Sequence, residues 1–135
     1  MDHTVIYDCE FLTAEGAPQR FWCGPHDPDP VIAQIGLVKV GLSDTFPILD
    51  TLRCHVIPRG RDTEDGLPLA DALAKADDFA QGARLWSWGK DEFNMVAISC
   101  YVEGIAPPIP VTRFGNAAGL LLRAGMPYED IKKTP

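Results

Sequence analysis

Asp8 and Glu10 are the two residues whose types and spacing most directly suggest chemistry. They stand in Val5-Ile6-Tyr7-Asp8-Cys9-Glu10-Phe11, a run of strand formers short enough to be one buried strand. Residues two apart in a strand project from one face, with backbone origins about 6.6 Å apart. Carboxylates held together in that way repel each other, so one takes up a proton or both meet a cation. A divalent metal is the simplest such cation; the plain alternative is a pair of acids ending a strand in solvent. A second acidic place is Trp88-Gly89-Lys90-Asp91-Glu92, where a strand hands over to a helix. An acid at a helix N-terminus is common for structural reasons alone. Asp91 gains interest if its strand runs parallel beside the first, because both acidic ends then share the crevice at the carboxyl edge of the sheet.

The elements that must position these acids follow from the hydrophobic pattern. Residues 31–40 are almost continuously apolar and β-branched, as a central strand is. Residues 45–57 form a third strand, bent near Pro47. The links between the three strands lack helical periodicity, which predicts an antiparallel meander. Residues 13–30, rich in Gly and Pro, read as a loop or wide hairpin connection, and 59–66 as a charged loop. Leu69, Leu73, Ala76 and Ala80 share one stripe of a helix over 67–82. A fourth strand covers 84–88, and a helix over 91–103 presents Phe93, Val96, Ala97, Cys100 and Tyr101 inward, ending at Gly104. Residues 105–111 leave room for a short strand at most. A third helix spans 112–124, with Thr112 as its cap and Phe114, Ala117, Ala118, Leu121 and Leu122 facing inward, and a short helical turn follows 125. The order predicts an α/β domain: a mixed sheet, part antiparallel meander and part parallel, flanked by helices.

Composition bounds the function. A chain of 135 residues is expected to form one domain, with an ordinary hydrophobic share of 46%. No apolar run reaches the ~20 residues of a membrane span, no secretory leader opens the chain, and the four cysteines follow no framework spacing. A reduced, cytoplasmic protein with no membrane partner is the expectation. Cys23 and His26 have half the spacing of a zinc site, but no second pair follows, so surface loop residues are the better reading. Net charge is −7, with basic spots at Arg53, Arg59 and Arg61 and at Arg123, Lys132 and Lys133. Tight tracking of long duplex is disfavoured, whereas bound cations can still turn an acidic site toward phosphodiesters.

The pieces taken together resemble the DEDD-type 3′–5′ exonucleases of the proofreading (DnaQ-like) group, on a ribonuclease-H-like fold. Ile6-Tyr7-Asp8-Cys9-Glu10-Phe11 is similar to the first motif, a hydrophobic residue, then Asp-x-Glu, then Phe or Thr. Residues 32–39 resemble the second strand, IxxIGAVxx, and residues 85–93 the second motif of the branch carrying W-G-x-x-D. The resemblance implies metal-dependent hydrolysis at the 3′ end of single-stranded DNA or RNA or of short oligonucleotides. It implies two Mg²⁺ or Mn²⁺ ions, with Asp8 bridging both, Glu10 on the ion that holds the attacking water, and Asp91 on the other. Phe11 and Leu12 fall where family members wedge the terminal base, although plain core packing explains them equally well. Many members dimerise, so a homodimer joins the expectations.

One part of the pattern is missing. The third motif is a His or Tyr followed five residues later by Asp, and within these 135 residues Tyr128 and Asp130 do not have that spacing. The expectation is therefore an exonuclease-like domain lacking the third-motif helix, with three of four metal carboxylates and no general base. A catalytically inactive ribonuclease-H-like binding module is the alternative.

Overall fold

In β1 (His3–Phe11) the side chains alternate: Val5, Tyr7 and Cys9 are buried, while Ile6, Asp8 and Glu10 are exposed. That period of two fixes which face of the strand meets the core. The computed structural model describes residues 2–57 and 66–133. β1 is the centre of a five-stranded sheet of order β3-β2-β1-β4-β5. β2 (Ile32–Gly41) pairs antiparallel with β1, and β3 (Ile48–His55) antiparallel with β2. β4 (Leu85–Ser87) and β5 (Phe114–Asn116) extend the other side in parallel. The meander and the parallel half are thus as expected. The connection between β1 and β2 is closed at its neck by the Leu12 amide, which donates to the Val31 carbonyl at 2.9 Å. The charged loop expected over 59–66, with Arg59 and Arg61, lies outside the described residues except for Gly66.

α1 (Leu69–Ala80) and α2 (Asp91–Glu103) cover the buried face of the sheet. α1 buries Leu69, Ala72, Leu73, Ala76 and Ala80, the expected stripe and one residue more. Each fully buried Leu there contributes roughly 1.5–3 kcal/mol relative to exposure. α2 has the expected bounds, and Val96 and Cys100 face inward as expected, but the buried stripe is turned toward Met95 and Ser99. Met95, Val96, Ser99 and Cys100 are buried, whereas Ala97 is exposed and Tyr101 is 87% exposed. The reason is Ser99, whose Oγ accepts the Ile32 amide at 2.9 Å, so a polar residue occupies the core side of the helix. Gly104 ends α2 in the left-handed conformation (φ 69°), with its amide on the Cys100 and Tyr101 carbonyls.

The segment after α2 departs from expectation. No strand forms over 105–111, within the limit expected there, but β5 lies inside the stretch expected to be helical, and α3 starts only at Ala117 (Ala117–Arg123). Pairing with β4 decides this, because Leu85, Trp86 and Ser87 register with Phe114, Gly115 and Asn116. Phe114 is therefore a strand residue stacked edge-on against Tyr7, with ring centroids 5.7 Å apart. Gly115 is required by the neighbour: a Cβ there would stand 2.5 Å from the Trp86 ring. The cap of α3 is Asn116 and not Thr112, since the Asn116 Oδ1 accepts the Ala118 amide at 3.0 Å. The expected closing turn is α4 (Tyr128–Lys132). No helix among the described residues is long and apolar enough to cross a membrane.

Candidate active site

Directly opposed residues of neighbouring strands share a face, so the register lays the outward residues of the meander in rows. Glu10 stands opposite Gln34 and then His55, Asp8 opposite Gly36 and then Arg53, and Ile6 opposite Val38 and then Thr51. These rows form the floor of an open trough of about 720 Å³, lined by both acids at one side and by Thr51 and Arg53 at the other. The ladder shifts register between Glu10 and Phe11, so the strand turns immediately past the second acid. Phe11 then packs against the core cluster, and Leu12 is partly buried beside it.

The acids of α2 enter from the neighbouring strand. β1 and β4 run parallel, with Val5 beside Leu85 and Ile6 beside Trp86, so α2 begins at the carboxyl end of both. Asp91 is exposed at the first position of the helix. Glu92, the next residue of the helix, is half-buried and near enough to Asp8 for the two carboxyl groups to influence each other. Burial, above all, pushes the Glu92 pKa up; its own backbone amide opposes the rise, and the neighbouring Asp8 and the charge of Asp91 add to it. The second oxygen of Glu92, Oε2, is sealed from solvent and has no partner.

Two buried groups beneath register the same concentration of negative charge. The Cys9 thiol is held well above its ordinary range by burial and then by the charges of Glu92, Asp8 and Glu10. The Tyr7 phenol is raised by burial too, with Cys9 and Glu92 adding to it while Ser87 opposes. Both stay protonated and neutral. Among the described residues, no three His, Cys, Asp or Glu side chains converge closely enough to hold a metal ion. Cys23 is exposed, with its thiol on the Phe21 carbonyl at 3.1 Å.

Sequence reading therefore singled out Asp8, Glu10 and Asp91 and passed over Glu92. The signal for Glu92 is in the motif spacing itself: counted from Trp88, the acid of W-G-x-x-D falls on 92.

No protein-family model matches the chain, and no curated protein matches it. Among solved structures, the chain is similar to the nuclease domain of 3′hExo, a DEDDh family member, determined bound to rAMP. The TM-score is 0.72 at 17% sequence identity, and the match covers 96% of this chain and 74% of that one. The likeness establishes the fold: a ribonuclease-H-like mixed five-stranded sheet flanked by helices, as in that nuclease domain.

Proposed function

We propose that this protein is a metal-dependent 3′–5′ exonuclease acting on the 3′ end of single-stranded DNA or RNA. The observation that carries the reading is that Asp8 and Glu10 share the exposed face of β1 while α2, with Asp91 and the buried unpartnered Oε2 of Glu92, begins at the carboxyl end of its parallel neighbour β4. The fold similarity to a DEDDh nuclease domain supports it.

The donor set fits divalent cations in kind. Carboxylates are the ligands Mg²⁺ and Mn²⁺ prefer, and Glu92 Oε2 is a buried oxygen without a partner. When bound, two such ions supply activation of a water and stabilisation of the leaving oxygen in an in-line displacement. The residues of this chain do the positioning. Asp8 and Glu10 hold their carboxylates on one face of the most constrained strand of the sheet. The acid pair that opens α2 supplies the third ligand; Glu92 takes that role in our reading, with Asp91 as the exposed neighbour at the rim. Phe11 and Leu12, past the register shift, offer an apolar stop for the terminal base. The reaction adds water across the last P–O3′ bond, releasing a nucleoside 5′-monophosphate and a new 3′-hydroxyl.

The test is Mn²⁺ binding by calorimetry together with turnover of a 5′-labelled single strand. Asp8→Asn is expected to abolish both, and products are expected to shorten one nucleotide at a time from the 3′ end. Glu92→Gln is expected to weaken Mn²⁺ binding more than Asp91→Asn; the reverse order returns the third ligand to Asp91. Unaltered metal binding in Asp8→Asn would sink the metal site. Metal and strand binding without turnover would make the chain a ribonuclease-H-like binding module instead.

A further inference from the structure

The floor of the trough has a hole that the fold does not need. Gly36 sits inside β2, between Asp8 on one side and Arg53 on the other. A glycine within a strand sacrifices packing and costs chain entropy, roughly 0.5–1 kcal/mol against Ala. At Gly115 the Trp86 ring explains that cost, but at Gly36 nothing does. A Cβ built there meets no atom nearer than the Asp8 carbonyl oxygen at 4.0 Å. Such an opening suits close approach by something outside the chain.

Arg53 closes the far side of that opening. It is exposed on β3, and among the described residues it makes no ion pair and no hydrogen bond. Among the described residues lining the trough it alone is cationic, on a chain of net charge −7. Two interstrand spacings separate its backbone from that of Asp8, about 10 Å, and the glycine between them leaves no side chain in the way. A guanidinium in that position matches a phosphate in shape and charge.

We propose that Arg53 binds the backbone phosphate next to the cleaved one, so that the substrate lies across β1, β2 and β3 with its sugar over Gly36. The site then takes a single strand with at least one phosphodiester inward of the terminal nucleotide and holds it better than a mononucleotide. This rests on the nuclease reading above, because it takes the acids as the place of the cleaved phosphate. Removal of Arg53 takes one phosphate contact from the strand and none from the terminal nucleotide.

The experiment uses the whole chain in Ca²⁺ buffer, with fluorescence anisotropy of labelled tetrathymidylate and displacement by thymidine 5′-monophosphate as the two probes. Arg53→Ala and Arg53→Gln are expected to weaken the tetranucleotide by about tenfold or more and to leave the monophosphate unchanged. The slope of log affinity against log salt is expected to flatten by about 0.7, the share of one phosphate on a single strand. Arg53→Lys keeps the slope and regains part of the affinity. Equal losses for both probes, or an unchanged slope in Arg53→Ala, overturn the assignment. Normal tetranucleotide binding by Arg53→Ala, with Mn²⁺ binding still lost in Asp8→Asn, overturns this inference alone. A folded wild-type chain that binds neither Mn²⁺ nor strand overturns the nuclease reading along with it.

Discussion

Ser99→Ala tests how α2 is held against the sheet, and with it the position of Glu92. Ser99 and Ile32 are each 1% exposed, and the hydroxyl accepts the Ile32 amide at 2.9 Å. Alanine leaves that N–H buried and unpaired, at a cost of about 1–3 kcal/mol. The better helix propensity of Ala returns at most about 0.5 kcal/mol. The unpaired donor therefore wins, and a net loss of about 0.5–2.5 kcal/mol is expected. At about 2.1 cal/mol/K per residue, a chain of 135 residues unfolds with roughly 0.28 kcal/mol/K, so the loss reads as a fall of about 2–9 °C in Tm. Urea titration followed by tryptophan fluorescence, with a calorimetric melt beside it, measures both quantities. The exposed Thr45→Ala is the control, expected within about 0.5 kcal/mol of wild type. A Ser99→Ala protein as stable as that control would refute the reasoning, since it would mean that the Ile32 amide finds another partner at no cost.

Two further outcomes follow from the ionisable groups. Cys9, Cys54 and Cys100 are buried and Cys23 is exposed, and burial holds the Cys9 and Cys100 thiols protonated. A chromogenic disulfide reagent is expected to titrate one thiol in the native chain and all four after denaturation; a second fast thiol would contradict the packing of β1 or α2. In the loop before β2, Asp27 takes both Arg20 Nη2 (2.6 Å) and the Gly24 amide (2.8 Å), and the Arg20 bond, above all, lowers its pKa below the ordinary 3.8. A depressed carboxyl pKa stabilises the fold above the unfolded value, and that stabilisation is lost as pH falls through the folded one. Protection of the Gly24 amide from hydrogen exchange should hold at neutral pH, drop in that acid window, and be low at every pH in Asp27→Asn. Protection in the mutant equal to wild type at pH 7 would exclude the ion pair as the cause.

Where local chemistry and burial agree, the fold is legible in the residues. The alternation of Val5, Tyr7 and Cys9 against Ile6, Asp8 and Glu10 reads directly as a strand with one wet face, and the Leu69–Ala80 stripe as a helix. Reading fails where tertiary partners override the local pattern. Phe114-Gly115-Asn116 carries no strand signal of its own; it is a strand because β4 lies beside it and Trp86 fills the space over Gly115. Ser99 looks like a surface residue until its hydroxyl is seen meeting a strand amide. The candidate site follows the same division. Asp8 and Glu10 share a face by strand geometry alone, whereas the burial of Glu92 near them depends on how α2 leaves β4, which no local pattern encodes.

The central position of β1 also has a kinetic side. Its antiparallel partner β2 follows it directly, but its parallel partner β4 is far along the chain, with Val5 registered to Leu85. Closing so long a loop is entropically slow, and pairings of high sequence separation set the pace of folding. The meander is the local part of the molecule and carries Asp8, Glu10, Gly36 and Arg53 on one continuous stretch of chain. Glu92 arrives with the remote part. Glu92 therefore comes near Asp8 only when β4 and α2 dock, so bringing these acids together weighs on the last pairing and leaves the first ones unburdened.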